Sequence, residues 1–132
     1  MDEKGRTSLP KDFRSIIAQA ERPAILTAKN GYLAIYLHAD FERLLDSFRD
    51  LQISSRERLE RLHAPHPLSL DKQGRLLIPP TLRRHAGLER EIMFLGVNDR
   101  IEIWDRARYA AEMQATSGDY DYHAGNLRDR AQ

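Results

Sequence analysis

Short apolar runs separated by polar turns recur along the chain and predict β-hairpins. The stretch "AILTAKNGYLAIY" at 24–36 places Asn30-Gly31, a strong hairpin signal, between two strand-like runs. The stretch "REIMFLGVNDRIEIW" at 90–104 has the same form around Asn98-Asp99. The two-residue period places Ile101 and Ile103 on the inner face of the sheet and Glu102 on its outer face.

Helical periodicity follows each of these hairpins. Four apolar residues form one stripe after the first hairpin: Phe41, Leu44, Leu45 and Phe48. After the second, Asp105 is the expected cap of a helix over 106–115, and Trp104 and Tyr109 are expected in the core. Ser54 and Glu57 have capping-box spacing and predict a further helix, with Leu59 and Leu62 facing inward, before a linker at "HAPHP". The last residues, 117–132, lack periodicity and are expected to form a mobile tail.

A third kind of hairpin is predicted around "LDKQGRLLIPP" at 70–80. Leu68 and Leu70 lead into a polar turn in which Gly74 suits a positive φ, and "RLLIP" leaves the turn as a strand. Pro79 and Pro80 end that strand and begin a helix. Leu82 and Ala86 are one turn apart in this helix, which is expected to end at Gly87.

The chain also resembles itself. A shift of 69 positions superimposes five identical residues, namely Asp2, Gly5, Arg6, Pro10 and Arg14 on Asp71, Gly74, Arg75, Pro79 and Arg83. The shift also pairs Leu9 with Ile78 and Phe13 with Leu82, and a shift of 68 aligns "NGYLAIY" with "NDRIEIW". Self-similarity of this kind predicts two tandem repeats.

The repeats suggest how the chain is organised. We expect a first repeat over residues 1–52, a connecting helix and linker over 53–67, a second repeat over 68–116 and the tail over 117–132. A half of about 50 residues is too small to bury its own apolar surface, so the two halves are expected to close one barrel-like α+β core. The sequence begins at Met1-Asp2, without a counterpart of the strand that precedes the second tip, so that strand either lies before Met1 or is missing. The first tip is then expected to be disordered, with its edge open or filled by another chain.

Composition limits the possible functions. The chain has 132 residues, 41% of them hydrophobic, no cysteine and a net charge of +1. No apolar run approaches the roughly 20 residues of a membrane helix, which favours a soluble protein of the cytoplasm with no membrane partner. His63 and His66 have the spacing of a metal pair, but prolines flank them and no third ligand is near, so linker histidines are favoured. No catalytic residue, metal site or cofactor is expected, because no phosphate loop, nucleophile elbow or zincin helix is present.

The repeated acid, glycine and arginine are the candidate binding residues. An aspartate at such a turn can accept hydrogen bonds from turn amides or from the arginine four residues later, which would orient that guanidinium for a phosphate or a guanine edge. Residues 71–85 carry the densest positive charge, with Lys72, Arg75, Arg83 and Arg84 against Asp71. The alternative is a solvated surface with a structural ion pair, worth about 0 to 1 kcal/mol.

The motifs "DEKGRTSLPKDFR" and "DKQGRLLIPPTLRRHAGL", with "IEIWD" after the second hairpin, resemble the MraZ family. These are tandem members of the SpoVT/AbrB-like swapped-hairpin superfamily, and the resemblance covers roughly residues 2–110. It implies a pseudo-twofold swapped-hairpin β-barrel with flanking short helices. It also implies a cytoplasmic, nucleoid-associated regulator, usually a repressor of the division and cell-wall genes, that binds repeated promoter boxes in double-stranded DNA as a ring homo-oligomer.

The resemblance also assigns the DNA-binding positions. They are Asp2, Lys4 and Arg6 in the first half and Asp71, Gln73 and Arg75 in the second, and Lys72 and Arg83 join them from the basic segment. Arg14 and Arg83 share the repeat and are expected to be structural or to contact the DNA backbone. Two alternatives remain at this stage: a self-assembling scaffold or interaction module whose tips join subunits, and an AbrB-type antitoxin-like regulator, which usually carries one copy of the motif.

Overall fold

The computed structural model describes residues 1–50 and 65–115. Four helices lie in these ranges: α1 (Lys11–Gln19), α2 (His38–Asp50), α3 (Pro80–Ala86) and α4 (Arg106–Ala115). The strands are β1 (Arg6–Ser8), β2 (Ile25–Ala28), β3 (Leu33–Tyr36), β4 (His66–Pro67), β5 (Arg75–Leu77), β6 (Ile92–Val97) and β7 (Arg100–Asp105). None of the helices in the described ranges is long and apolar enough to span a bilayer.

The hairpins predicted at 24–36 and 90–104 are both present. In β2–β3 the last ladder pair is Ala28 with Leu33, so the loop contains four residues, where the Asn30-Gly31 signal favours a two-residue turn. The amide of Lys29 donates to the carbonyl of Tyr32 to close this loop. In β6–β7, Val97 pairs with Arg100 across the two-residue turn expected at Asn98-Asp99.

The described strands form two antiparallel sheets, one in the order β4-β2-β3-β7-β6 and the other made of β1 and β5. Ala34 in β3 pairs with Glu102 in β7, its counterpart 68 positions later. Thr7 in β1 pairs with Leu76 in β5, its counterpart 69 positions later. Equivalent strands therefore pair with each other about a local twofold axis, which requires each half to lend its strands to the other.

One core lies between the two sheets. It contains the fully buried side chains of Leu26, Ile35, Leu76, Ile78 and Ile103, and the helix residues Leu82 and Ala86 pack into the same cluster. Because each half supplies only part of this cluster, neither half buries it alone.

A second apolar layer covers the opposite face of the larger sheet. There Ala34 and Tyr36 pack with Phe41, and the rest of the predicted α2 stripe lies against them. Glu102 lies on this face as predicted, but it is only 7% exposed, because the face is covered and does not meet solvent. Its carboxylate accepts hydrogen bonds from Arg100 Nε at 3.0 Å and Trp104 Nε1 at 2.9 Å, which compensate its burial.

The helix ends follow the sequence. α3 begins at Pro80 and ends at Gly87, which has a φ of 64° and donates to the carbonyls of Arg83 and Arg84. Asp105 caps α4, since its Oδ2 accepts the amide of Arg108 at 3.2 Å.

Other expectations meet the structure differently. His66–Pro67, expected in a linker, form β4 and pair with Ile25 and Leu26 of β2. The helix predicted from Ser54 and Glu57, His63 and the tail at 117–132 lie outside the described residues, and the proposed repeat boundaries remain predictions. The predicted α+β class with swapped hairpins is confirmed, and its tips are the site described next.

Candidate nucleic-acid interface

The turn Asp71–Arg75, here called the second tip, is held by the aspartate at its start. Asp71 Oδ1 accepts the amides of Gln73 at 2.9 Å and Arg75 at 2.8 Å, and its Oδ2 accepts Arg75 Nε at 2.8 Å. Backbone bonds from the amide of Asp71 to the carbonyl of Arg75, and from that of Gly74 to the carbonyl of Asp71, close the turn. The sequence offered turn amides or the arginine as donors to this carboxylate, and the structure contains both.

The turn Asp2–Arg6, the first tip, repeats this arrangement. Asp2 Oδ1 accepts the amides of Lys4 at 3.0 Å and Arg6 at 2.8 Å, and its Oδ2 accepts Arg6 Nε at 2.7 Å. Gly5 adopts a φ of 83° and Gly74 a φ of 76°, so both tips use a left-handed glycine. The first tip is as completely hydrogen-bonded as the second, in contrast to the disorder expected of it.

Hydrogen bonding makes both tip carboxylates more acidic. The backbone amide of Arg6 is the largest influence lowering the pKa of Asp2 below its usual 3.8, and the Arg6 side chain adds to it against an opposing desolvation. The amide and side chain of Arg75 lower the pKa of Asp71 in the same way. Both aspartates are therefore ionised at neutral pH and remain acceptors for their arginines.

The arginines are fixed through only one of their nitrogens. Each ion pair uses Nε, and the terminal nitrogens of Arg6 and Arg75 have no hydrogen bond to any other residue in the described ranges. The two guanidinium side chains are 35% and 30% exposed. Each tip therefore presents an oriented fork of donors to a planar acceptor, the geometry that suits phosphate oxygens or a guanine edge.

The remaining tip residues differ between the halves. Lys4 and Glu3 are exposed at the first tip, and Lys72 and Gln73 are exposed at the second. The first tip is therefore neutral, since Asp2 and Glu3 balance Lys4 and Arg6. The second tip has a charge of +1, since only Asp71 opposes Lys72 and Arg75.

Strand pairing brings the arginines of the two tips near each other, with the two turns at opposite ends of the antiparallel β1–β5 ribbon. β1 pairs with β5 so that Arg6 lies opposite Leu77, two residues from Arg75. At about 3.4 Å per residue, the two arginines are separated by roughly 7 Å along the strands. The sequence predicted each tip but not their proximity, because no local signal specifies pairing between strands 69 residues apart.

Each tip rests on an arginine from the other half. A Cβ on Gly5 would lie 2.8 Å from Arg83 Nε, and Arg83 donates from an Nη to the carbonyl of Glu3 at 3.3 Å. A Cβ on Gly74 would lie 3.3 Å from an Nη of Arg14. The repeat already pointed to Arg14 and Arg83, but only the structure reveals that they cross between halves.

The basic residues of the segment at 71–85 are therefore divided between the second tip, the space beneath the first tip and the exposed side of α3. Lys72 and Arg75 belong to the second tip, while Arg83 lies beneath the first tip with an Nε that is buried and lacks a hydrogen-bond partner in the described ranges. Arg84 is exposed on α3, and His85 Nε2 is within 2.8 Å of the carbonyl of Lys29. No cluster of three potential metal ligands occurs within residues 1–50 and 65–115.

Comparison with known proteins identifies the family. Residues 62–118 match the family model described as "MraZ protein, putative antitoxin-like". A protein of Treponema pallidum (strain Nichols) named "Transcriptional regulator MraZ" is 36% identical over 135 residues, which cover 98% of this chain and 89% of the relative. Proteins of the same name from Solidesulfovibrio magneticus (34% identical, 93% of this chain, 86% of the relative) and Neisseria gonorrhoeae (32%, 96% and 89%) also match. Identity of 32–36% over nearly the whole chain shows that the chain belongs to the MraZ family.

Proposed function

We propose that the chain is a transcriptional regulator that binds double-stranded DNA through its two tips. Its relatives carry the name of transcriptional regulators, which supports the general role. The main support for DNA as the ligand is the arrangement repeated in both tips, in which a carboxylate fixes an arginine through Nε and leaves its terminal nitrogens available. This reduces the side-chain entropy that the arginine loses on binding.

Within the tip, the proposed roles differ by residue. Arg6 and Arg75 reach base edges or phosphates, while Asp2 and Asp71 position them. Lys4, Lys72 and Gln73 are exposed beside them and supply further donors to the DNA. Arg83 supports the first tip by donating to the carbonyl of Glu3, and it lies close enough to the tip to contact the DNA backbone.

The net charge of +1 suggests why one copy is not enough. A single chain with so little positive charge binds a polyanion weakly. We expect a ring homo-oligomer that presents identical tips to direct repeats in a promoter, since linked binding events gain effective concentration without new contacts. In this proposal the protein is cytoplasmic and nucleoid-associated, represses the division and cell-wall gene cluster, and performs no catalysis.

The alternative is a scaffold whose tips join subunits. It has some support from two exposed large hydrophobic residues, Ile16 and Leu77, which are 50% and 44% accessible. The two functions differ in what an arginine at a tip does. In the scaffold it holds the assembly together, whereas in the regulator it binds DNA and leaves the assembly unchanged.

The deciding experiment measures DNA binding and assembly in the same preparations. We expect Arg75→Ala to weaken binding to the duplex upstream of the chain's own gene about tenfold or more, since a bidentate arginine contact contributes roughly 1–3 kcal/mol. Arg43→Ala is the matched control, because Arg43 is an exposed arginine that also pairs with an aspartate, Asp40, but lies on α2. Fluorescence anisotropy gives the affinity, and sedimentation velocity gives the assembly state.

The outcomes separate the two functions. Unchanged DNA affinity in Arg75→Ala with an intact assembly would eliminate the second tip as the DNA-reading element. Loss of assembly in this variant would favour the scaffold. A salt-insensitive affinity of the unmodified protein would also contradict the proposal, because contacts with phosphates release counterions.

A further inference from the structure

The small sheet of β1 and β5 has one face turned towards the core and one turned away from it. Thr7 and Leu76, which pair across the two strands, lie on the inner face and are 9% and 0% exposed. By the two-residue period, their neighbours along each strand share the outer face. These neighbours are Arg6, Ser8, Arg75 and Leu77. This outer face, here called the ribbon face, therefore contains both tip arginines.

Leu77 is the apolar residue of the ribbon face. Its side chain is 44% exposed, and among the other large hydrophobic residues in the described ranges only Ile16 is exposed to a similar degree. The strand of Leu77 is hydrogen-bonded on both sides, because β5 pairs with β1 and the amide of Leu77 donates to the carbonyl of Ser69 at 3.2 Å. The exposure of this leucine therefore does not come from an unpaired strand edge.

Leu77 belongs to the second half of the chain but lies beside the arginine of the first. It is directly opposite Arg6 in the register of β1 and β5, and it is two residues along β5 from Arg75. Directly opposed residues have Cβ atoms about 4.5–5.5 Å apart, whereas residues two apart on one strand are separated by roughly 7 Å. A ligand that contacts Arg6 on the ribbon face therefore also meets Leu77.

The repeat identifies this leucine as a difference between the halves. Arg6 and Arg75 are counterparts 69 positions apart, and so are Ser8 and Leu77. Ser8 is exposed and lies opposite Arg75, where its hydroxyl can donate and accept hydrogen bonds. The ribbon face therefore has a guanidinium beside a hydroxyl at one end and a guanidinium beside an apolar side chain at the other.

We infer that Leu77 is a specificity-determining residue that contacts the C5-methyl group of a thymine in the major groove. The inference rests on the proposed function, in which the tips bind double-stranded DNA. Leucine has no hydrogen-bond donor or acceptor in its side chain, and the thymine methyl is the apolar group that base edges present in the major groove. This groove admits a two-stranded β-ribbon, so the ribbon face brings Leu77 to the base edges together with Arg6.

The strand register also specifies which thymine Leu77 contacts. Successive base pairs are about 3.4 Å apart along the duplex, and Leu77 is one cross-strand distance from Arg6. The thymine therefore lies within one or two base pairs of the position that Arg6 contacts. Because Ser8 has the equivalent place beside Arg75, no thymine methyl is read at the other end of the ribbon face.

Replacing thymine with deoxyuracil tests the contact one methyl group at a time. Uracil pairs with adenine as thymine does and has the same charge, but it lacks the C5-methyl. The probes are copies of the duplex upstream of the chain's own gene, each with a single thymine replaced, and fluorescence anisotropy measures their affinity. We expect one replacement in a box to weaken binding about fourfold, the effect of one buried methyl group. A series in which no replacement weakens binding would overturn the inference.

The variant Leu77→Ala connects the sensitive methyl group to the leucine. We expect this variant to bind the thymine duplex about three- to tenfold more weakly than the unmodified protein does, and to bind the sensitive uracil duplex equally weakly. Ile16→Ala is the matched control, because it truncates the other exposed hydrophobic side chain, on α1, and should keep the fourfold difference between the two duplexes. A fourfold difference that persists in Leu77→Ala would refute the inference.

Further outcomes separate this inference from the proposed function. If Arg75→Ala weakens DNA binding while every uracil duplex binds like its parent, the tips bind DNA and only the role of Leu77 is overturned. If the unmodified protein binds none of the duplexes at low salt, both are overturned. Sedimentation velocity of Leu77→Ala should match that of the unmodified protein, whereas a smaller assembly would assign Leu77 to a contact between copies of the chain and overturn its role in reading DNA.

Discussion

A tip aspartate acts on the turn and on the arginine at the same time. One oxygen of Asp71 holds two backbone amides and the other holds Arg75 Nε, so a single carboxylate fixes both the loop and the direction of the guanidinium. The sequence contained enough information to predict this arrangement, because the residues involved are within four positions of one another. Interactions of that range depend on turn chemistry that each residue carries locally.

If Asp71 positions Arg75, replacing it should change DNA affinity in the direction opposite to the one that its charge alone predicts. Asp71→Asn removes a negative charge near a polyanion, and electrostatics by itself would strengthen DNA binding. We expect the reverse, a weakening of about three- to tenfold, because the amide holds Nε of Arg75 less firmly than the carboxylate does. Anisotropy titrations at two salt concentrations measure it, with the exposed Glu42→Gln as the control.

The pH dependence of the tip follows from the same contact. The folded pKa of Asp71 lies below 3.8, so the stability from its contacts is present at neutral pH and is lost as the pH falls through that lower value. DNA affinity should therefore show no step from this carboxylate between about pH 8 and about pH 5.

For the Asp71→Asn variant, DNA binding stronger than that of the unmodified protein would mean that the carboxylate only repels DNA and does not position Arg75.

The two tip glycines should respond unequally to a methyl group. A Cβ at Gly5 would lie 2.6 Å from the backbone carbonyl oxygen of Ile78, whereas at Gly74 the nearest atom is on the flexible side chain of Arg14, at 3.3 Å. Both substitutions incur about 1–2 kcal/mol for a side chain at positive φ. Only Gly5→Ala adds an overlap with fixed backbone, which costs roughly a further 1–3 kcal/mol.

Urea denaturation of both variants measures this difference. We expect Gly5→Ala to lose more free energy of unfolding than Gly74→Ala, with similar m-values for the two proteins. Each variant is the control for the other, since both place alanine in the same turn. Equal losses would show that the backbone at Ile78 moves as readily as the side chain of Arg14 does.

At the scale of elements, the sequence predicted the helices, turns and caps that hydrophobic periodicity and glycine, proline or capping residues specify locally. The two hairpins, the helix between Pro80 and Gly87 and the cap at Asp105 all appear as expected. Each of these features depends on residues close together in sequence, such as a glycine after a helix or an aspartate before one.

The elements that the sequence missed depend on distant contacts. His66–Pro67 contain proline and look like a linker, but they form a strand because the edge of β2 is available to pair. Glu102 follows the predicted alternation yet is buried, because the outer face of the sheet is covered and Arg100 and Trp104 donate to its carboxylate. The two-residue alternation identifies which side chains share a face of the strand, but tertiary packing decides whether that face is covered.

At the scale of the whole molecule, the fold converts two weak tips into one paired surface. Equivalent strands pair about a twofold axis, and Arg83 and Arg14 reach across it to lie beneath the tip of the other half. A chain that exchanges its supports in this way keeps both tips in a fixed relation. The repeat in the sequence predicted duplication, but the exchange becomes visible only once strands 69 positions apart are paired.

The spacing of the tips leads to a prediction about how they share DNA. Arg6 and Arg75 are roughly 7 Å apart along the β1–β5 ribbon, and the major groove is about 12 Å wide, so both can enter one groove. We therefore expect Arg6→Ala and Arg75→Ala each to weaken binding to a duplex with a single box about tenfold, and the double variant to weaken it about a hundredfold. Because the first tip has no net charge, the effect of Arg6→Ala on affinity shows whether a neutral tip also contacts DNA. If only the positively charged second tip touches DNA, Arg6→Ala will bind like the Arg43→Ala control and the double variant will match Arg75→Ala.

Salt titrations of the same four proteins identify the contact, because an arginine that binds phosphate lowers the slope of log affinity against log salt by about 0.9, whereas one that reads a base leaves the slope nearly unchanged.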